Sequence, residues 1–257
     1  MPIFLQLAPY ILGGVLIWFL IAYFANTAII RSATGARPLK RKENKRVYNL
    51  VENLCMTQGM PIPRINVIED HSLNAFASGI NKRTYTVSLS RGIIDKLNDE
   101  ELEGVIAHEL THIRNRDVRL LIVSIVFVGI FAMLTQIAFR VLLGSGRRRN
   151  SKDGRGVIIM IAIVLVVAVI GYFFATLMRF AISRNREYMA DAGAAEITRK
   201  PQALANALRK ISQDPDIEAV TRNDVAQLFI EHPIKKNSSL FATHPPIEKR
   251  IAILEQF

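Results

Sequence analysis

The chain has 257 residues, half of them hydrophobic, a net charge of +11 and one cysteine. A single cysteine excludes an intramolecular disulfide, and a mean hydropathy of +0.22 is high for a soluble protein. Many Lys and Arg residues flank apolar blocks instead of interleaving with aromatics, which argues against a nucleic-acid partner and fits anionic lipid head groups.

Residues 3–30 carry no charge and are long enough to span a bilayer, with Tyr10, Trp18 and Tyr23 as interface anchors. No basic residue precedes this block and no clear cleavage site follows it, so it reads as a retained anchor and not a signal peptide. Seven basic residues lie between Arg31 and Arg46, and the positive-inside rule puts that side in the cytoplasm.

Residues 43–118 read as a soluble α+β segment. ENKRVYNLVENLCMTQG has helical spacing and ends at Gly59, with Cys55 as a small buried residue. RINVIED is a short strand, and RTYTVSLS alternates strictly as a second one. Asn98 is placed to cap a helix whose first turn holds Asp99, Glu100 and Glu101. Two uncharged runs follow, 120–139 and 157–178, both long enough to span, with a Gly-rich basic turn between them. From residue 179 the chain is soluble again, with helices expected at 179–196, 201–213 and 246–255. The expected organisation is therefore an anchor at 1–30, one half of a soluble domain at 31–119, a membrane hairpin at 120–178 and the second half at 179–257.

His108-Glu109-Leu110-Thr111-His112 is an H-E-x-x-H pattern. On a helix, i and i+4 share a face, so two neutral imidazoles can grip one Zn²⁺. Glu109 stands beside the ion without ligating it, where it can take a proton from the attacking water and pass it to the leaving amine. An amphipathic helix with two ordinary histidines also fits the pattern. A catalytic zinc needs a third protein ligand. Glu187-Tyr188-Met189-Ala190-Asp191 offers Glu187 for that place, with Asp191 one turn on to hold the second nitrogen of a histidine. Taken on their own, these two residues fit a solvated helix face better.

AHELTHIRNRD, SRNREYMAD, NAFASG and THPP together resemble the HtpX-like membrane zinc metallopeptidases, relatives of the CAAX prenyl protease. The resemblance runs from about residue 31 to the end. It implies a mostly helical, zincin-like peptidase domain with a small β-sheet, an α+β membrane protein to which the apolar runs of this sequence give about three transmembrane helices. It implies one Zn²⁺ per chain at His108, His112 and Glu187, with Glu109 as general base. It also implies that His244 stabilises the oxyanion and that Arg250 braces an acidic residue such as Asp191. Read without the resemblance, His244 is a loop histidine before a Pro-initiated helix. His71 and His232 match no ligand role. Asn74, Ala75 and Phe76 fall in the segment that borders the family's substrate cleft, and the strand at 84–90 is a candidate to pair with an extended substrate by β-addition. The sequence departs from the family at the front, where one span stands in place of the usual two.

Zinc ligands must meet at one point, so the chain between His112 and Glu187 crosses the bilayer an even number of times. Two spans satisfy this, and the basic cluster at 31–46 places the catalytic domain on the cytoplasmic side; the resemblance implies that the membrane is a bacterial inner membrane. Arg147, Arg148, Arg149, Lys152 and Arg155 then fall in a periplasmic turn, against the charge rule; the geometric constraint outweighs that bias. His112 to Leu120 is about 12 Å of helix and Met178 to Glu187 about 13–14 Å. Both ligand-bearing helices are therefore expected to run straight on from the spans, with zinc roughly 10–15 Å above the hydrocarbon. Arg114, Arg116, Arg119, Arg179, Arg184 and Arg186 would form a collar at head-group level.

The expected function is a membrane-anchored zinc endopeptidase acting on membrane-protein or peptide substrates, in protein quality control. An inactive zinc-binding scaffold is the alternative, and Glu109 argues against it because zinc binding does not need that residue. An intramembrane protease is disfavoured by Glu100, Glu101, Glu103 and Arg114 around the motif.

Overall fold

The computed structural model describes residues 34–117, 119–120, 152–213 and 245–257, with Phe131 and a few positions before residue 33; within 152–183 it describes the backbone but only some side chains. The expected spans at 3–30 and 120–139, the basic turn before Lys152, His232 and His244 lie outside these residues, save isolated positions. Met1–Ala22 with Ile122–Arg179 forms one compact unit, and Tyr23–Leu121 with Phe180–Phe257 forms another. Among the described residues, no helix is long and apolar enough to cross a membrane.

In the second unit, Asn44 accepts the Val47 N–H and starts α1, Lys45–Thr57. Its buried face is Val47, Val51, Leu54 and Cys55, a helical stripe. A four-stranded sheet follows, built from β1 (Arg37–Pro38), β2 (Arg64–Ile68), β3 (Ala75–Ser78) and β4 (Thr86–Ser90) in the order β1-β2-β4-β3. β2 and β4 are parallel; β1 and β3 pair antiparallel on either side.

The sheet corrects one expectation. The strand read at 84–90 begins at Thr86 and lies inside the sheet, with β2 on one side and β3 on the other. Its backbone groups are taken, so it cannot add a substrate strand. The outer strand on that side is β3, which lies within the NAFASG segment and was not read as a strand. The reason is local: all four residues of β3 are buried, so no alternation marks it, and two of them are Ala. Gly79 closes the turn out of β3 at φ +97, and a Cβ there would strike the Thr84 carbonyl. Ser90 fixes the other end. It caps α2 (Arg91–Lys96), donates to the Ser72 carbonyl at 2.7 Å and accepts the Asn74 N–H at 3.0 Å.

α3, Asp99–Arg114, opens with a full capping box between Asn98 and Glu101. It packs on β3, on α1 and on α5, Pro201–Ile211; α6, Ile247–Leu254, packs on α5. α4 is a single helix of 47 residues, Lys152–Thr198, so the run at 157–178 and the helix expected at 179–196 are one element. α3 behaves differently. It stops at Arg114 with Asn115 as its cap, and Arg116 turns to φ 59. The expectation that both ligand helices run straight on therefore fails at the first junction.

Candidate metal centre

α3 carries His108, Glu109 and His112 on a buried face. α4 crosses it closely because Gly193 has no side chain: a Cβ there would lie 2.6 Å from Thr111 Cγ2. That approach brings Glu187 to the two histidines. His108 Nε2 and His112 Nε2 are 3.1 Å apart, and the Glu187 carboxylate oxygens lie 3.7 and 3.5 Å from them. Four-coordinate Zn²⁺ with bonds of about 2.0–2.1 Å sets its donors roughly 3.3 Å apart, so the three side chains already stand near ligand spacing. Among the described residues they form a group able to hold a metal ion.

Each imidazole is gripped from behind. His108 Nδ1 is 3.0 Å from Asp191 Oδ1, and His112 Nδ1 is 2.9 Å from Asp117 Oδ2. Arg250, 1 % exposed, closes on Asp191 through Nε and Nη2 at 2.8 and 2.7 Å and reaches Glu187 with Nη1 at 3.2 Å. Arg186 lies 3.0 Å from Asp117. Four carboxylates (Glu109, Asp117, Glu187 and Asp191) and two guanidiniums leave two negative charges around the two Nε2 atoms. A divalent cation balances that charge, and the imidazole and carboxylate donors suit zinc.

The electrostatics agree with this geometry. Burial opposes protonation of His108, but the Asp191 and Glu187 carboxylates outweigh it and push the imidazole up to about 9; a cation at the same point takes the proton's place. Burial also works against charge on Asp191, and Arg250 overrides it, holding the carboxyl below its usual range. Glu109 is pushed up by burial, against the pull of both histidines and of the Ala77 backbone N–H, which donates to its carboxylate. Raising the carboxyl makes Glu109 a stronger base than a solvent-exposed carboxylate.

The structure thus brings His108, His112, Glu187, Glu109, Asp191 and Arg250 together. Asn74, Ala75 and Phe76, expected to border a cleft, are fully buried, so their side chains do not reach the surface. Asp117 and Arg186 were not singled out as site residues from the sequence. The signal was present in the AHELTHIRNRD stretch, but Asp117 is five residues from His112 and a regular helix would point it elsewhere.

Residues 41–257 match Peptidase family M48. The chain belongs to this family. It is 72 % identical to a protease HtpX homolog of Bacteroides fragilis, over 99 % of this chain and 81 % of that protein. It is 43 % identical to a protease HtpX homolog of Dictyoglomus turgidum, over 93 % of this chain and 80 % of that protein. In fold it is similar to the crystal structure of S. mikatae Ste24p, the CAAX prenyl protease, with a TM-score of 0.61 and 17 % identity, covering 98 % of this chain and 60 % of that one. The M48 chain is accordingly a hydrolase of the metalloprotease kind, HtpX-like in sequence.

Proposed function

We propose that this M48 peptidase is a membrane-anchored zinc endopeptidase that cleaves exposed segments of membrane proteins at the cytoplasmic surface of a bacterial inner membrane, in protein quality control. The observation that carries the reading is the position of Glu109. It stands next to the three converging donors but is not one of them, and its carboxylate is oriented by the edge of β3 through Ala77.

Zinc held by His108, His112 and Glu187 supplies a Lewis acid that polarises the scissile carbonyl and the attacking water. The chain's own residues do the rest. Glu109 draws the proton from the water and returns it to the amine nitrogen as the C–N bond breaks. Asp117 engages the His112 ring at Nδ1, so its Nε2 lone pair faces the centre, and the Asp191 carboxylate lies 3.0 Å behind His108 Nδ1. Among the described residues β3 pairs with β4 alone, and its other edge turns an N–H toward Glu109. An extended peptide added to that edge runs past the base, and this replaces β4 as the proposed rail for substrate. His244 is retained as the proposed oxyanion donor.

The membrane part has separate support. Val166, Val169, Ile170, Tyr172 and Phe173 are exposed along a short stretch of α4, an apolar surface out of place in water. The names of the relatives, proteases of the HtpX kind, support the protein-substrate reading.

The test is purification in detergent with zinc, followed by cleavage of a membrane-protein substrate by wild type and Glu109→Gln. The variant should retain one zinc per chain and lose at least about a hundredfold in rate. Equal rates would remove Glu109 from the mechanism. Full zinc occupancy in Glu187→Ala would remove the third ligand.

A further inference from the structure

His112 sits at the end of a chain of three polar groups. Its Nδ1 is 2.9 Å from Asp117 Oδ2, and Asp117 Oδ1 is 3.0 Å from Arg186 Nε. Asp117 is 6 % exposed, so this is not a solvent-screened surface pair. A carboxylate can only accept, so the ring must donate from Nδ1. That selects the tautomer whose lone pair is on Nε2, the atom facing His108 and Glu187.

Regular helix geometry does not deliver this contact. A residue five positions on lies about 140° around the helix axis. α3 instead ends at Arg114, and Arg116 takes φ 59, a conformation seldom adopted by residues other than glycine. The chain doubles back and lays Asp117 against His112. Arg186 directly precedes Glu187 on α4, so Asp117 ties the helix that carries two donors to the helix that carries the third. The other histidine also has a carboxylate and a guanidinium behind it, Asp191 at 3.0 Å from His108 Nδ1 and Arg250 on Asp191, but only the His112 contact has hydrogen-bond geometry.

We infer that Asp117 is the positioning residue of His112, with Arg186 as its counter-ion: it sets the ring's tautomer and aim, and makes metal binding depend on the turn that ends α3. The inference rests on His108, His112 and Glu187 being the metal ligands.

The test uses the full chain in detergent. Zinc affinity is measured by chelator competition, the visible spectrum of the cobalt-substituted protein is recorded, and the metal-free melting temperature is taken. Asp117→Ala should bind zinc about 10–100-fold more weakly and shift the cobalt bands. Asp117→Asn keeps the shape and one acceptor oxygen, so it should fall between Ala and wild type, and it carries the test should the Ala variant not fold. Arg186→Gln leaves the His112–Asp117 contact and should lose less than Asp117→Ala. A purely structural ion pair predicts otherwise: equal losses for Asp117→Ala and Arg186→Gln, a lowered metal-free melting temperature and unchanged cobalt bands. That pattern, or wild-type affinity in Asp117→Ala, would overturn the inference. His112→Ala separates the two levels: if it binds zinc like wild type, the ligand assignment itself is wrong.

Discussion

Arg250 and Asp191 form a bidentate pair with almost no contact with water, Nε to Oδ2 at 2.8 Å and Nη2 to Oδ1 at 2.7 Å. The pair joins α6, near the end of the chain, to the helix that carries Glu187. Its planar fork matches the carboxylate, a geometry that an ammonium cannot reproduce. Removing the guanidinium leaves Asp191 buried and uncompensated beside Glu187. Arg250→Ala should therefore destabilise the domain by about 3–5 kcal/mol, and Arg250→Lys should recover only part of that. Chemical denaturation of the detergent-solubilised protein measures both. Wild-type stability in Arg250→Ala would show that the pair is not needed for folding.

Gly193 sets how closely α4 approaches α3. A methyl group added there meets Thr111 Cγ2 at 2.6 Å and Thr111 Oγ1 and Arg114 Nη2 at 3.1 Å. Gly193→Ala should cost about 1–3 kcal/mol by overpacking and weaken zinc binding, because the same contact places Glu187. Thr111→Ser removes Cγ2 and keeps the hydroxyl, which donates to the Ala107 carbonyl. The double variant should recover zinc affinity relative to Gly193→Ala alone. No recovery would mean that the helix spacing is not what the substitution disturbs.

Ala77 gives the test of the β3 edge. Its N–H serves Glu109 and not the ladder to β4, so proline there should spare the pairing while removing the donor. Ala77→Pro should lower kcat/KM by roughly tenfold to a hundredfold and leave zinc content intact. The sign of the pH effect is fixed. Losing a donor to the ionised form raises the carboxyl further, so the acidic limb of the rate profile should move to higher pH. An unmoved limb would separate Ala77 from Glu109.

Cys55 is the single cysteine and is fully buried, and burial pushes its thiol up to about 11. The native state then holds a proton that the unfolded chain releases at lower pH. Stability should fall as pH rises from the ordinary thiol range through about 11. At pH 8 a disulfide reagent should react with Cys55 only after unfolding. Immediate labelling of the native protein would contradict the packing of α1.

Some of this centre could be read directly from the chain, because local spacing is enough to define it. Asn98, three residues before Glu101, closed a capping box, and His108 and His112, one turn apart, shared a face. The pairing of Arg250 with Asp191 was legible only through resemblance, since 59 residues separate them. β3 was missed because a strand of small residues buried on both faces shows no period. Asp117 was missed because its contact depends on Arg116 leaving the helix, and no propensity predicts a left-handed arginine.

The amino-acid order alone settled which helix bears the paired histidines, where that helix begins, and that a glutamate stands between them. These are properties of a single turn of helix, determined by interactions over three or four residues. Folding in three dimensions decided which carboxylate meets each ring nitrogen, which strands lie at the edges of the described sheet, and how near α4 comes to α3. Those outcomes depend on contacts between residues as far apart as Ala77 and Glu109, Thr111 and Gly193, and Asp117 and Arg186. Such contacts form only when burial drives the elements together, and no local pattern carries their register.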